Sequence, residues 1–281
     1  MGSYDERLYT SAPSTAPAPG GIRTDQSFAL FMLFNIPVRV SYFFPIVIVL
    51  AVLDGLSEGW MSILWYVTLF GPLLFGTVLV HEFGHSLACL KLANGHVDQI
   101  LLWPLGGLAY CGHGGSPIDD FKVAICGPLT HIPQTAIWLA ILAISRPDDV
   151  SLNVYAPVGD HFWTNLVAAA IMVNIALFCF NLLLPAYPLD GGRILADLLL
   201  SCGVSSKVAA IVTLCIATPI AVLIVMYGIY NVAIMTIAVG VWVLFQNFSL
   251  AVLVRNGQVD QHPLFRGVQS GTVNQVDLPP I

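Results

Sequence analysis

Val78–Leu92 reads VLVHEFGHSLACLKL, and it sets His81, Glu82 and His85 inside an apolar run. On a helix, residues four apart lie on one face about one turn apart. Two imidazoles stacked there can hold one side of a tetrahedral zinc, while Glu82 reaches the water on the metal. A bare H-E-x-x-H pattern arises by chance fairly often. The setting is the unusual part: the neighbours are almost all Val, Leu, Phe, Ala and Gly, where a glutamate is costly unless it is functional or paired. The bland alternative is a group of packed polar core residues.

The surrounding composition says what kind of solvent this run meets. Of 281 residues, 57% are hydrophobic and only 9% charged, against about 25% charged in a soluble domain. In a bilayer every backbone polar group must be satisfied internally, which leaves helices or a closed barrel. Long unbroken apolar runs, instead of alternating ten-residue strands, select helices. The expected fold is therefore an all-α polytopic membrane protein, with six transmembrane helices and a small membrane-associated β element. The six cysteines are scattered with no C-x-x-C pair, so they read as small hydrophobes and not as a disulfide framework. The formal charge of −6 says little about partners, because the position of positive charge matters more than the total. No nucleic-acid partner is expected.

In chain order, residues 1–26 are rich in Ser, Pro, Ala and Gly without apolar periodicity. They read as a flexible cytosolic tail, with no h-region of a signal peptide. Ile36–Val40 reads as a short strand at the membrane surface. The first span, Ser41–Leu56, is short for a crossing of about 30 Å. The second, Met61–Lys91, contains Gly71-Pro72, where a kink is expected. Val97–Leu102 and Leu108–Cys111 read as strands around Trp103-Pro104-Leu105-Gly106-Gly107, whose paired glycines permit a bulge or a close backbone approach. The third and fourth spans are Phe121–Ile144 and Phe162–Leu184, the latter stopped by Pro185 and Pro188. Gly191–Lys207 is a short amphipathic segment. Val208–Val254 gives 47 uncharged residues, too long for one helix, and splits near Gly228–Asn231. The membrane domain is thus 27–254, followed by a polar cytosolic tail, 255–281.

Lys and Arg placement sets the orientation. With six spans, one side receives nine basic residues and the other only Arg146, beside Asp54, Glu58, Asp148, Asp149 and Asp160. That bias places both termini in the cytosol and the Lys91 end of the metal helix on the cytosolic side.

Catalytic zinc usually has three protein ligands and an open position. The metzincin extension needs Gly and His where this chain has Ala88 and Lys91. A thermolysin-like downstream Glu is absent, because the only glutamates are Glu6, Glu58 and Glu82. The third ligand is therefore Asp or His. Asp98, Asp119, Asp120, Asp148, Asp149, Asp160, His96 and His113 fall in polar connections and read as solvated. His131 lies inside the third span, where an ionisable group is a functional suspect. Asp190 lies in Asn181–Gly192, NLLLPAYPLDGG. Its prolines and glycines suit irregular backbone held at membrane depth inside protein; the alternative for Asp190 is a helix cap. Asp197 reads as a polar-face residue of the amphipathic segment.

HEFGH at His81–His85, PLGG at Pro104–Gly107, Gly127-Pro128 and FNLLLPAYPLDGGR at Phe180–Arg193 together resemble the site-2 protease family of intramembrane zinc metalloproteases. The resemblance covers roughly Ile36–Val208. It implies that His81, His85 and Asp190 ligate one Zn2+ per chain and that Glu82 is the catalytic acid/base. It also implies that Asn181, with Gly106 and Gly107 of a membrane-associated sheet, contacts the substrate; the family's NLLP form carries one extra leucine here. The resemblance leaves His131 open between a hydrogen-bonded spacer and a residue of the water path to the metal. The implied activity is hydrolysis of a peptide bond in or next to a transmembrane segment, near the cytosolic face. The implied partners are a transmembrane protein or peptide substrate and the lipid bilayer.

No PDZ-sized insertion separates the expected spans, and a 27-residue tail is too short for a CBS pair, so control by a fused domain is not expected. Two rival classes are a catalytically inactive scaffold that binds client helices and a membrane metal transporter. The intact His81, Glu82, His85 and Asp190 argue against the scaffold. The last two spans hold no Asp, Glu or His, which argues against an ion path.

Overall fold

A computed structural model describes residues 26–56, 59–145, 162–231 and 233–265. The expected N-terminal tail up to residue 25, the loop with Arg146, Asp148, Asp149 and Asp160, and residues 266–281 of the C-terminal tail lie outside the described residues, as does Glu58. The chain opens with a hairpin, β1 (Ser27–Leu33) and β2 (Ile36–Ser41). Its two-residue loop places both Phe34 (φ 52°) and Asn35 (φ 65°) in the left-handed region, the turn whose twist matches that of paired strands. β1 was not expected as a separate strand, since Phe-Asn is not the usual Asn-Gly turn signal.

Helices α1 (Pro45–Gly55), α2 (Trp60–Thr68) and α3 (Leu74–Leu92) follow, then β3 (His96–Trp103) and β4 (Gly106–Gly112). The strands form one sheet in the order β1-β2-β3-β4. β2 and β3 run parallel, with Val38 opposite Ile100 and Val40 opposite Leu102; the outer pairs are antiparallel. A parallel pair needs a crossover, and here α1, α2 and α3 supply it. The chain leaves the sheet at Ser41, travels out through α1, and returns along α2 and α3 to the same sheet.

Between α2 and α3 lies the expected kink: Leu69–Leu73 forms a π-helical turn in which Gly71 leaves helical geometry (φ −90°, ψ −107°) ahead of Pro72. Trp60–Leu92 is one of five helical runs long and apolar enough to cross a membrane. Two more are Pro117–Ser145, formed by α4 (Pro117–Leu129) and α5 (His131–Ser145), and α6 (Phe162–Leu183). The amphipathic α7 (Asp190–Ser201) precedes the last two, α8 (Ser206–Tyr230) and α9 (Ile234–Arg255). The uncharged 47-residue stretch does break after Tyr230.

Five described runs, not six, therefore have the length to span. The expected first span is the 11-residue α1, which rises only about 16 Å. Its shortness has a local cause. Gly55 abuts Ile63, Ile48 reaches Gly71, and Phe44 packs on Phe75 with ring centroids 4.3 Å apart. α1 thus covers α2 and the first turn of α3, and the sheet lies beside the rest of α3. Strands and a short helix together match the length of one long helix.

Large apolar side chains such as Ile137, Leu223, Phe245 and Phe248 stand exposed on the outer helices. Contiguous apolar exposure of this kind suits lipid, not water. After α9, two 3-10 turns, Val259–Gln261 and Pro263–Phe265, fold back; Phe265 is buried with Tyr187, Leu200 and Leu250.

Candidate metal centre

Helical spacing on α3 stacks the rings of His81 and His85, with their Nε2 atoms 3.0 Å apart. Asp190 arrives as the first residue of α7, after an irregular segment containing a cis Tyr187–Pro188 bond. Leu189, not Asp190, is the N-cap, so the capping alternative is set aside. Asp190 Oδ2 lies 3.1 Å from His81 Nε2, and Oδ1 lies 3.2 Å from His85 Nε2. All three residues are buried, and their ligand atoms lie within 4.8 Å of one another.

Hydrogen bonds behind the rings fix which nitrogens carry protons. Asn174 Nδ2 donates to the Ala170 carbonyl (2.9 Å). Its Oδ1 therefore accepts from His131 Nδ1 (3.0 Å). That leaves His131 Nε2 to accept from His81 Nδ1 (3.1 Å). His85 Nδ1 donates to the Val123 carbonyl of α4 (2.8 Å). With neutral rings, both Nε2 atoms are bare. Four lone-pair atoms then face one another beside Asp190 with no proton among them, an arrangement that repels itself until a cation sits between them. Asp190 Oδ2 accordingly accepts no hydrogen bond. Two imidazoles and a carboxylate are also a donor set that zinc accepts, so the residues fit the metal.

Glu82 is buried on the same helix, and its Oε2 has no hydrogen-bond partner. β4 lies against it: a Cβ added at Gly107 would collide with Glu82 Cγ and come within 2.7 Å of Oε1. Gly127 does the same service for His85, whose ring occupies the space a side chain there would fill. These close approaches are why PLGG and GP accompany HEFGH in the sequence. Gly106, Gly107 and Asn181 line, with Glu82 and Asp190, a cavity of about 1060 Å³. Trp103 and Trp242 meet edge to face at 5.2 Å and join the β3–β4 hairpin to α9.

His81, Glu82, His85 and Asp190 converge as the sequence reading expects. His131 lines the cavity and has both ring nitrogens engaged, between His81 and Asn174, as the spacer reading expects. Asn174 and the Val123 carbonyl were missed, since nothing local marks either one.

A second polar group was misread. Asp120, His113 and Asp197 were expected to be solvated or surface-facing. Instead Arg193 Nη2 donates to Asp120 Oδ1 at 2.5 Å, and His113 Nε2 lies 3.1 Å from the same oxygen. Asp197 is 2% exposed. Burial, reinforced by the Asp120 carboxylate, pushes the Asp197 carboxyl up to about 9. Burial works against the Arg193 charge, but the Asp120 carboxylate holds it on. The available signal was Arg193 itself, three residues after Asp190 and four before Asp197 on one helix.

Comparison with known proteins follows the same lines. Residues 149–226 match the model of peptidase family M50. A zinc metalloprotease of Methanocaldococcus jannaschii, MJ0392, is 32% identical over 222 residues, covering 78% of this chain and 59% of that one. The chain belongs to the site-2 protease family. Stage IV sporulation protein FB of Bacillus subtilis is 32% identical to this family member over 122 residues, which cover 42% of this chain and 36% of that protein. The solved site-2 protease from Methanocaldococcus jannaschii shares the fold, with a TM-score of 0.54 at 24% identity, over 79% of this chain and 94% of that one. The chain spans about three fifths or less of the length of the sequence relatives named here. Five apolar helices and family membership make this site-2 protease relative an integral membrane protein.

Proposed function

We propose that the chain is an intramembrane zinc metalloprotease. It hydrolyses a peptide bond in or beside a transmembrane segment of a membrane-protein substrate, near the cytosolic face. The observation that carries this reading is the convergence of His81 Nε2, His85 Nε2 and the Asp190 carboxylate within about 3.2 Å of one another, with the unpartnered Glu82 Oε2 beside it. His81, His85 and Asp190 would hold the zinc, which would supply polarisation of the scissile carbonyl and a lowered pKa of water, toward about 7. Glu82 accepts the proton of the attacking water and later delivers it to the leaving amine. His131 and the Val123 carbonyl keep the two imidazoles turned with Nε2 forward. Such partners behind metal-binding histidines fix both tautomer and orientation.

A helical substrate hides its carbonyls in its own hydrogen bonds, so it must unwind to react. β4 is an edge strand beside Glu82, and an edge strand suits pairing with an extended peptide. Asn181, on the cavity wall, contacts that peptide. In this reading α1 and the sheet together count as one crossing beside the α2–α3 run, since the chain leaves the sheet through α1 and returns to it after α3, for six crossings in all. With the nine-to-one charge bias, both termini are cytosolic.

The test measures zinc stoichiometry and cleavage of a model transmembrane substrate for wild type and Glu82→Gln in detergent. One zinc in both, with cleavage in wild type only and a loss of at least about 100-fold in the variant, is the expected result. Full cleavage by Glu82→Gln would end the assignment of its role; zinc in both with cleavage in neither would favour the inactive scaffold.

A further inference from the structure

Two helices meet beside the metal centre, and each holds two residues three positions apart. On α4, Val123 offers the carbonyl that orients His85, and Asp120 stands one turn before it. On α7, Asp190 enters the centre, and Arg193 stands one turn after it. Residues at that spacing share a helix face. Arg193 Nη2 reaches Asp120 Oδ1 across the two helices at 2.5 Å. His113 takes the same oxygen from the β4 side at 3.1 Å. Arg193 is 8% exposed.

Burying such a pair is costly and gives little net stability over apolar residues of similar volume. Its presence beside the site calls for another reason, and the first turn of α7 otherwise rests, through Gly191 and Gly192, on the backbone of the segment before it. The chain before it, Leu184–Leu189, is irregular, and no side chain caps the helix. An ion pair with a planar guanidinium fixes both distance and rotation.

We propose that Asp120 and Arg193 form a positioning brace, which locks the rotation of α7 against α4 so that the Asp190 carboxylate completes the set begun by His81 and His85. One helix, α4, thereby aligns two of the three ligands, His85 through its backbone and Asp190 through Asp120. The inference rests on the zinc reading above, but the brace itself is a property of the protein without metal.

The experiment uses the full chain in detergent and the double variant Asp120→Leu/Arg193→Met, which leaves neither partner as an unpaired buried charge. Zinc affinity is read by competition with a chromophoric chelator. Hydrogen exchange across residues 190–195 is read on metal-free protein. The expected result is zinc affinity weaker by about 10–100-fold and faster exchange in the first turn of α7, with the metal-free melting temperature close to wild type. A purely stabilising pair would instead change the melting temperature and leave affinity and exchange alone, and that result overturns the proposal. Should the double variant fail to fold, Asp120→Asn decides by the same two readouts, with the same directions expected. Wild-type protein that binds no zinc would defeat the metalloprotease reading, while the exchange rates would still decide the brace.

Discussion

The α3–α4–α7 region and the α8–α9 pair are built on opposite terms. In the first, hydrogen bonds across helices tie His85 to Val123, His81 to His131, His131 to Asn174 and Arg193 to Asp120, while Glu82 Oε2 and Asp190 Oδ2 at the centre itself have no partner. In the second, small residues meet branched ones: Gly228 faces Ile237, Gly240 faces Val225, and Ala217 and Ala221 pack with Val243. Its buried amide, Asn247, has neither polar atom paired among the described residues. Small residues let helices approach closely where lipid gives no hydrophobic drive to associate. Directional bonds hold atoms at fixed positions, whereas close apolar packing holds surfaces together. The first region is made for chemistry, and the second closes the cavity.

Three substitutions separate those roles, from the largest expected effect to the smallest. His131→Ala removes the acceptor behind His81 and strands Asn174, so zinc affinity should fall by about 10–100-fold. Chelator competition checks it, and unchanged affinity would show that the bonded region does not set ligand geometry. Ala221→Leu should overpack the α8–α9 contact and destabilise by roughly 1–3 kcal/mol with wild-type zinc affinity. A lowered affinity would erase the contrast between the two regions.

The third effect is a pH dependence. Asp197 carries a folded pKa of about 9, above about 3.9 for an unfolded aspartate. A raised carboxyl contributes stability below the unfolded value and loses it as pH rises through the folded one. Asp197→Asn cannot ionise and escapes that loss. Its metal-free melting temperature should match wild type near pH 4 and exceed it by several degrees at pH 8. Equal melting curves at pH 8 would mean that Asp197 ionises freely in the folded state.

What the sequence made legible was what is local. His81, Glu82 and His85 sit within one helical turn, so spacing alone places them together, and the Gly71-Pro72 kink is equally local. Asp190 lies more than a hundred positions away and came from the resemblance, since spacing left His131 open beside it. Asp120 was read as solvated because its partner Arg193 is 73 residues distant. The apolar setting of α7 gave no hint that both charges turn inward. α1 was read as a whole span because hydropathy reports lipid contact, not that a sheet covers the remaining depth. β1 was missed because Phe34 and Asn35 form the tight turn without its usual glycine.

The parallel pairing of β2 with β3 also fixes an order of biogenesis. β1 and β2 are neighbours in sequence and can pair as soon as both are made. The free edge of β2 has no partner until β3 is translated, fifty-five positions after Ser41. At ordinary elongation rates that interval is roughly 3–11 s. An unpaired strand is a template for wrong partners, and this one waits while three helices enter the bilayer. The nascent hairpin must therefore be shielded by the insertion machinery or by lipid until α3 brings its mate back, which makes the sheet the last part of the amino-terminal half to close.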